Sequence, residues 1–500
     1  MARTPLSQGG NTGSNPVSGK FQMRYLITTS IPYVNDNPHI GHLYEFILAD
    51  VFARYLRNNN EVFFLSGTDE NGIKIARSAI EKGRDIFDFV NEKYSNFYSL
   101  KDKFYLSFDN FIRTTSEEHK KAVYKFWNLC KDDIYLDKYS GYYCYSCEAY
   151  YEENDLEKLI CPLHNKKLEK IEESNYFFRL TKYLSKVNEL ISQDKIKIYP
   201  QEKKIEILNI LKEKKIKDLS ISRDIKRSYG WGIKVPNDNS QVIYVWFDAL
   251  INYLSGLGFG SNNQNNFQKY WQAGEIIHFI GKDIVKFHAI YWPAMLLSAK
   301  IKPPEKIVVH YFINVRGEKM SKTIGNVIAP EDLLNNGIES DIIRAYFCHQ
   351  NIFNDWDFSF KNLINFKDGI LKKELGNLIL RIFGLVKKYD NDIELKNNLL
   401  ENKTSNILDN FEKLMNIFEI NLAYQNIFDL VKILNQFIDQ KKVWNNLNEE
   451  NMSTLIINLI KIIETYSLLL PKTLNNIKEK IEIKNNIFLN KKISLNPIFK

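Results

Sequence analysis

The chain runs to 500 residues with 44% hydrophobic and 26% charged content, the balance of a globular protein too long for a single core. Sixty-eight Lys and Arg against 60 Asp and Glu leave a net charge of +8, a mild excess that suits a polyanionic partner without identifying one. No apolar run approaches the ~18 residues that a membrane helix needs. Five cysteines with no secretory segment argue for a reducing compartment rather than a disulfide framework, and the cytoplasm is the expected location, with an organelle left open by the sequence.

Residues 1–22, rich in Gly, Ser, Thr and Asn and without an acid, are expected to be a disordered leader. "RYLITTSIPY" (24–33) then reads as a buried strand, and Leu43, Phe46, Ile47 and Val51 follow at helical spacing. "EVFFLSGTDENG" (61–72) and "IKIARSAIEKG" repeat the strand-to-helix alternation, which predicts an α/β domain with a doubly wound parallel sheet. From about 132 to 225 the pattern breaks into text rich in Tyr, Cys and charge. Strand signals return at "QVIYVWF" (241–247), "EIIHFIGKD" (275–283) and "KIVVHYFINV" (306–315). The expected organisation is therefore one Rossmann-type domain in two halves, 23–131 and 226–315, interrupted by an insertion at 132–225. Beyond about residue 340 helical patterns take over, for example Ile427, Leu430, Val431, Leu434, Phe437 and Ile438. The last third reads as a helical bundle, 373–500, with "ISLNPIFK" packing back on the body.

Within the insertion, Cys144 and Cys147 are separated by two residues, as are Cys161 and His164, with thirteen residues between the pairs. Two such knuckles can converge four ligands in a tetrahedron, and thiolate with imidazole is the donor set that zinc selects. A filled four-ligand shell leaves no open position, so this zinc is expected to be structural. Cys130 and Cys348 lack such neighbours and are expected to pack as small apolar groups.

"NPHIGHLYEF" (37–46) places His39 and His42 around Gly41 on the first turn after a parallel strand, where main-chain N–H groups and the helix dipole hold anions. A glycine there lets an adenine or ribose approach the backbone. The alternative of a metal pair lacks a third ligand nearby in sequence. The chain has neither a Walker A sequence nor GxGxxG, and "GLGFGS" (256–261) has the wrong glycine spacing. "GEKMSKTIGN" (317–326) puts Lys319 and Lys322 around Ser321 in a Gly-flanked loop after a strand. Mobile ammonium groups in such a loop can meet the triphosphate of ATP, although a solvated basic loop has the same composition.

Taken together, "PHIGH" and "KMSKT" resemble the two signatures of class I aminoacyl-tRNA synthetases. The finer text resembles the methionyl-tRNA synthetase family from about residue 24 to the C-terminus. The carriers are "SIPYVNDNPHIGHLYEFILADVFARY", "SGTDENG", the Cys144 to His164 knuckle, "NYFFRL", "YVWFDALINYLS", "HFIGKDIVKFHAIYWPAML" and "KMSKTIGNVI". Asn71 stands where the family's "TDEHG" has His, Lys286 where an apolar residue or Arg is usual, and Val443 where a Pro usually precedes the Trp of the helical domain.

The resemblance implies a methionine pocket of Ile31, Tyr33, Trp246, Ala249, Tyr253, Ile284 and His288, with Asp69 pairing the ammonium. It implies ATP, with Mg²⁺, across His39, Gly41, His42, Glu45, Gly281 and Asp283, with Lys319, Ser321 and Lys322 closing over the triphosphate. His39, His42, Lys319 and Lys322 would be the catalytic groups. The implied reaction is formation of methionyl-adenylate and pyrophosphate, then transfer of methionine to the 2′-OH of the terminal adenosine of tRNA(Met), initiator tRNA included. Asn377, Arg381 and Trp444 would read the anticodon, with 316–372 as the KMSKT loop and stem-contact region.

The insertion, filled by the knuckle and its supports, leaves no room for a large editing domain, so discrimination is expected in the synthetic site itself. No further tRNA-binding domain follows the bundle, and a monomer is expected. The pocket text argues against a cysteine or leucine enzyme, and intact His39, His42, Lys319 and Lys322 against an inactive tRNA-binding paralogue. Glu148, Glu152 and Glu153 beside the knuckle argue against a nucleic-acid-reading zinc module.

Overall fold

The structure, a computed structural model, describes residues 22–144, 149–151, 159–161, 167–213, 215–321, 324–489 and 498–499. Eight strands position the site: β1 (Arg24–Thr29), β2 (Glu61–Thr68), β3 (Asn110–Arg113), β4 (Ile134–Cys144), β5 (Glu169–Phe178), β6 (Lys197–Tyr199), β7 (Glu275–Gly281) and β8 (Lys306–His310). Six of them form one sheet in the order β3-β2-β1-β7-β8-β6, with every pairing parallel. The central pair is apolar on both faces, with Leu26, Ile27, Ile276, Ile277 and Phe279 all buried, as a sheet covered on both sides requires. The chain winds outward through β1, β2 and β3 and re-enters at β7 and β8. The strand order therefore reverses between β1 and β7, and ligands of open α/β sheets bind beyond the carboxyl ends of the strands at such a point.

The parallel sheet and the helical C-terminal region agree with the sequence reading. One strand does not: β6 lies inside the span 132–225 and pairs with β8 at the sheet edge. At three residues, in a lysine-rich text, it carries too little apolar pattern to be read as a strand. The rest of that span is built on the antiparallel ribbon β4–β5, in register from Ile134↔Phe178 to Tyr143↔Glu169. Asp133 anchors its base, accepting from Lys182 Nζ at 2.6 Å, Ser298 Oγ at 2.8 Å and Tyr183 Oη.

Helix α1 (Ile40–Arg57) follows β1 and is buried on almost all sides, Glu45 and Asp50 included. Beyond it the elements used below are α2 (Ser340–Cys348), α3 (Asn377–Tyr389), α4 (Glu401–Asn416), α5 (Ile420–Gln440) and α6 (Glu449–Tyr466). One apolar cluster runs from α1 through α2 into α3, α5 and α6, so the sheet domain and the bundle share a core. The helical third also holds a small sheet of Ile393–Glu394, Ile487–Phe488 and Ile483–Lys484, pairs too short for a sequence pattern. Phe499 is buried, its ring beside Gly376.

A fully buried guanidinium crosses this shared core. Arg344 on α2 donates to Asp50 Oδ2 of α1 at 2.7 Å, to the Phe104 carbonyl at 3.0 Å, and to the carbonyls of Leu468 and Leu469 at 3.0 and 3.1 Å. Asp50 also accepts from Arg54 at 2.7 Å and from the Ser107 main chain and hydroxyl, both at 2.6 Å. Cys130 and Cys348 are buried, at 1% and 0% exposure, as expected of small apolar groups. Among the described residues no helix is long and apolar enough to cross a membrane.

Candidate active site

A cavity of about 500 Å³ opens beyond the carboxyl ends of β1, β2, β7 and β8. It is lined by Ile31, Tyr33, His39, Gly41, His42, Glu45, Asp69, Trp246, Ala249, Tyr253, Gly281, Asp283, Ile284, His288 and Lys319. All the residues expected for the amino acid and, apart from Ser321, which does not line it, all the described residues expected for the nucleotide therefore share one cavity.

The two histidines cap their own helix. His39 is the N-cap of α1, and its Nδ1 accepts the Gly41 N–H at 3.0 Å; the Nδ1 of His42 accepts the His39 N–H at 3.2 Å. The rings stack with centroids 3.7 Å apart. A nitrogen that accepts from a main-chain N–H carries no proton, so each neutral ring keeps its proton on Nε2. Burial lowers the pKa of His39 to about 4, helped by the Lys319 ammonium and opposed by a main-chain hydrogen bond and by Asp283. Burial, then His39, holds His42 well below the usual histidine range. Both are neutral Nε2–H donors at pH 7. Gly41 has a further reason here: a Cβ would sit 2.8 Å from His39 Cε1 and 2.9 Å from Nδ1, so any side chain would unseat the histidine.

Glu45, one turn into α1, accepts from Ser30 Oγ at 2.6 Å and from His310 Nε2 at 2.9 Å. His310 Nδ1 lies 3.0 Å from the Tyr311 carbonyl, so both ring nitrogens face acceptors. Burial opposes the charged form, but the Glu45 hydrogen bond and charge outweigh it and raise the His310 pKa. His310 and Ser30 line the cavity and were not singled out from the sequence. His310 ends β8, and the rule that α/β ligands gather at carboxyl ends was the signal that could have found it.

On the other side Tyr253 Oη lies 2.7 Å from His288 Nε2, and His288 Nδ1 lies 3.1 Å from the Ile284 carbonyl. A carbonyl can only accept, so Nδ1 holds the proton and Nε2 accepts from the tyrosine. Burial lowers the His288 pKa to about 4. Trp246 stacks on Phe287, centroids 3.7 Å apart, forming an aromatic wall. Asp69, 8% exposed, follows β2, its main chain tied to Pro32 and Val34. Asn71 donates to the Thr114 carbonyl at 3.2 Å and to Asp248 Oδ2 at 3.1 Å, a buried structural role for the residue that departs from the family text.

Lys319 stands at the mouth, its ammonium 3.7 Å from Asp283 Oδ2 and 3.9 Å from the Phe312 ring centroid. It ends a hairpin of Ile313–Val315 with Glu318–Lys319, turned by Arg316 and Gly317 at φ 60 and 75. Buried Asn326 organises the loop, accepting the Ser321 N–H at 2.7 Å and donating toward the carbonyls of Val315 and Lys319 at 3.3 Å. Lys322 lies outside the described residues.

In the bundle, Arg381 of α3 is ion-paired with Asp439 of α5 and sits 5.7 Å from the ring centroid of Trp444, which is 41% exposed. Asn377 is exposed one turn earlier on the same helix. Val443 is fully buried and seats the turn that presents Trp444. Of the zinc set, Cys144 and Cys161 share one buried cluster with Tyr142 and Leu168, whereas Cys147 and His164 lie outside the described residues.

Comparison with known proteins agrees with this geometry. The chain matches the family described as tRNA synthetases class I (M) over residues 25–167 and 149–383. It is 35% identical over 482 residues to the methionine–tRNA ligase of Thermotoga maritima, covering 92% of this chain and 75% of that one. It is 37% identical over 461 residues to that of Rickettsia bellii, covering 88% of each. Methionyl-tRNA synthetase of Mycobacterium tuberculosis, solved with methionyl-adenylate, has a TM-score of 0.88 at 29% identity, covering 96% of this chain and all of that one. A cavity at the sheet's switch point, paired neutral histidines, an aromatic side pocket and these similarities place the chain in the methionyl-tRNA synthetase family of class I aminoacyl-tRNA ligases.

Proposed function

We propose that this cavity joins methionine to ATP as methionyl-adenylate, releasing pyrophosphate, and then passes methionine to the 2′-OH of the terminal adenosine of tRNA(Met). The observation that carries this reading is the pair of neutral Nε2–H donors at the head of α1 in the same cavity as Asp69 and the Tyr253–His288 pocket. The methionine carboxylate is ionised at pH 7, so its attack on the α-phosphorus needs alignment and charge stabilisation rather than a strong base. His39 and His42 donate to phosphate oxygens. Lys319 and Lys322 neutralise the β- and γ-phosphates and the departing pyrophosphate, and Mg²⁺ accompanies the nucleotide. Gly281, Asp283 and Glu45 border the nucleoside, with Ser321 on the closing loop. Asp69 pairs the ammonium, and Ile31, Tyr33, Trp246, Ala249, Tyr253, Ile284 and His288 enclose the thioether, whose polarisable sulfur suits aromatic walls.

Arg381, Trp444 and Asn377 suit an anticodon loop, where splayed bases stack on exposed rings and bond to guanidinium and amide groups. Cys144, Cys147, Cys161 and His164 would hold one structural zinc; burial of Cys144 and Cys161 in one cluster fits two ligands of that set. A monomer in the cytoplasm accords with this reading.

His42→Ala tests it. Methionine-dependent exchange of pyrophosphate into ATP should fall at least tenfold while the thermal melt is preserved, the loss expected when an oriented phosphate donor is removed. An unchanged exchange rate would remove the histidine from the mechanism.

A further inference from the structure

Glu45 and His310 form a bonded pair in the wall of the active cavity, and the reading above uses only the first of them. Their side chains keep 8% and 7% of their surface open, so an occupant of the cavity can reach the pair. His310 ends β8 opposite Gly281, the last residue of β7, and the Tyr44 ring packs across it at 87°, centroids 5.4 Å apart. Its Nε2 lies 2.9 Å from Glu45 Oε2 and its Nδ1 3.0 Å from the Tyr311 carbonyl. A carboxylate and a carbonyl can only accept, so both ring nitrogens carry protons and the ring is an imidazolium.

The surroundings support that charge. The ionisable groups facing the ring are Glu45 and Tyr44 from α1 and Asp283 from the turn after β7, the last 3.7 Å from Lys319. Burial holds Tyr44 far above the usual tyrosine range, so it is a neutral phenol. Burial opposes the imidazolium as well, but Glu45, the Tyr311 carbonyl and Asp283 outweigh it.

The pair has a use at this point of the cavity. Glu45 lies three residues after His42 on the same face of α1, one turn farther from the helix head than the phosphate donors. With the α-phosphate at His42, the part of a nucleotide one turn away is its ribose, whose hydroxyls are donors. A carboxylate offers about four acceptor sites, and Ser30 and His310 fill one on each oxygen. A bare carboxylate so near a triphosphate would repel it, whereas one paired with an imidazolium brings no net charge.

We propose that His310 is a positioning residue for ATP: its imidazolium fixes and neutralises the Glu45 carboxylate, which then accepts from the ribose hydroxyls without repelling the triphosphate. The proposal rests on the reading of this cavity as the ATP site.

Pyrophosphate exchange tests it, with ATP and with 2′,3′-dideoxy-ATP, in wild type, His310→Ala and His310→Gln. A hydrogen bond to a charged group is worth enough that His310→Ala should narrow the kcat/KM preference for ATP over the dideoxy nucleotide about tenfold or more. The loss should fall on the KM for ATP rather than on kcat, because the ribose contact is the same before and during reaction. The KM for methionine should stay within about twofold, as expected if only the nucleotide side is touched. In wild type the KM for ATP should be level below the ordinary histidine value of about 6.5 and rise as pH passes the higher folded value, where the imidazolium is lost. His310→Gln keeps the size and loses the charge, so this rise should vanish; titration of the substrate itself is common to both proteins. An unchanged preference in His310→Ala, equal rises in both KM values, or an alkaline rise that persists in His310→Gln would overturn the proposal. Glu45→Gln separates it from the reading beneath it. If Glu45→Gln narrows the preference and His310→Ala does not, His310 alone is wrong; if neither narrows it, the nucleotide is misplaced in the cavity.

Discussion

Replacing Arg344 by methionine, of similar length and without charge, should destabilise the protein more than any single change on its surface. The guanidinium is fully buried and fills four hydrogen bonds, one to the Asp50 carboxylate and three to the carbonyls of Phe104, Leu468 and Leu469. Breaking one half of a buried ion pair costs about 3–5 kcal/mol, and each stranded carbonyl adds up to about 1–3 kcal/mol. Arg54 and Ser107 stay on Asp50 and trim the first cost. The expected loss is therefore at least about 4 kcal/mol, roughly a thousandfold or more in the folding equilibrium. Urea unfolding followed by circular dichroism reads it directly. The pH dependence supplies a second readout. Burial would raise the Asp50 pKa, but Arg344, Arg54 and Ser107 together lower it. Its contribution is accordingly present above the unfolded value of about 3.9 and is lost as pH falls through the lower folded value. Without Arg344 the folded value rises, and the acid transition of the variant should move to higher pH. A loss under about 1 kcal/mol together with an unmoved acid transition would refute the claim that this pair ties α1 to the bundle.

Three further expectations follow from the site. Because His39 and His288 are neutral with pKa values of about 4, kcat/KM for adenylate formation should show no acid limb between pH 7 and about 5 from these groups; a limb near 6.5 that disappears in His39→Asn would contradict their assigned state. Trp444→Ala or Arg381→Ala should raise the KM for tRNA in aminoacylation by about tenfold or more, by loss of base stacking or of a charged hydrogen bond, while pyrophosphate exchange stays within twofold; equal loss in both assays would place these residues in the fold rather than at an anticodon. Protein purified without chelator should carry one zinc per chain, and Cys144→Ser should abolish it; folded, active protein free of zinc would remove the metal proposal.

What could be read in the sequence was whatever depends on local text. The strand read within 24–33, the histidines at the head of the following helix and the bundle's apolar pattern all rest on residues close together in the chain; the aromatic pocket residues were reached only through the family resemblance, and the structure ends the strand at Thr29 and gathers the cavity residues at one switch point. What could not be read depends on distant partners. His310 looks like any strand-end histidine until Glu45, 265 positions away, comes within 2.9 Å. Arg344 was not singled out, because nothing nearby in sequence announces the buried Asp50 that it meets. The edge strand β6 takes its identity from β8 rather than from its own three residues. Gly41 was legible as a glycine needed at the site, but its reason was only half legible: the ring that a Cβ would strike belongs to His39.

The most direct test of the account is exchange of pyrophosphate into ATP, measured with each of the twenty amino acids in turn and without tRNA. The account predicts exchange with methionine alone. Exchange with a different amino acid would mean that the pocket of Tyr33, Trp246, Tyr253 and His288 selects something other than a thioether, and silence with all twenty in folded protein would contradict adenylate formation at this site.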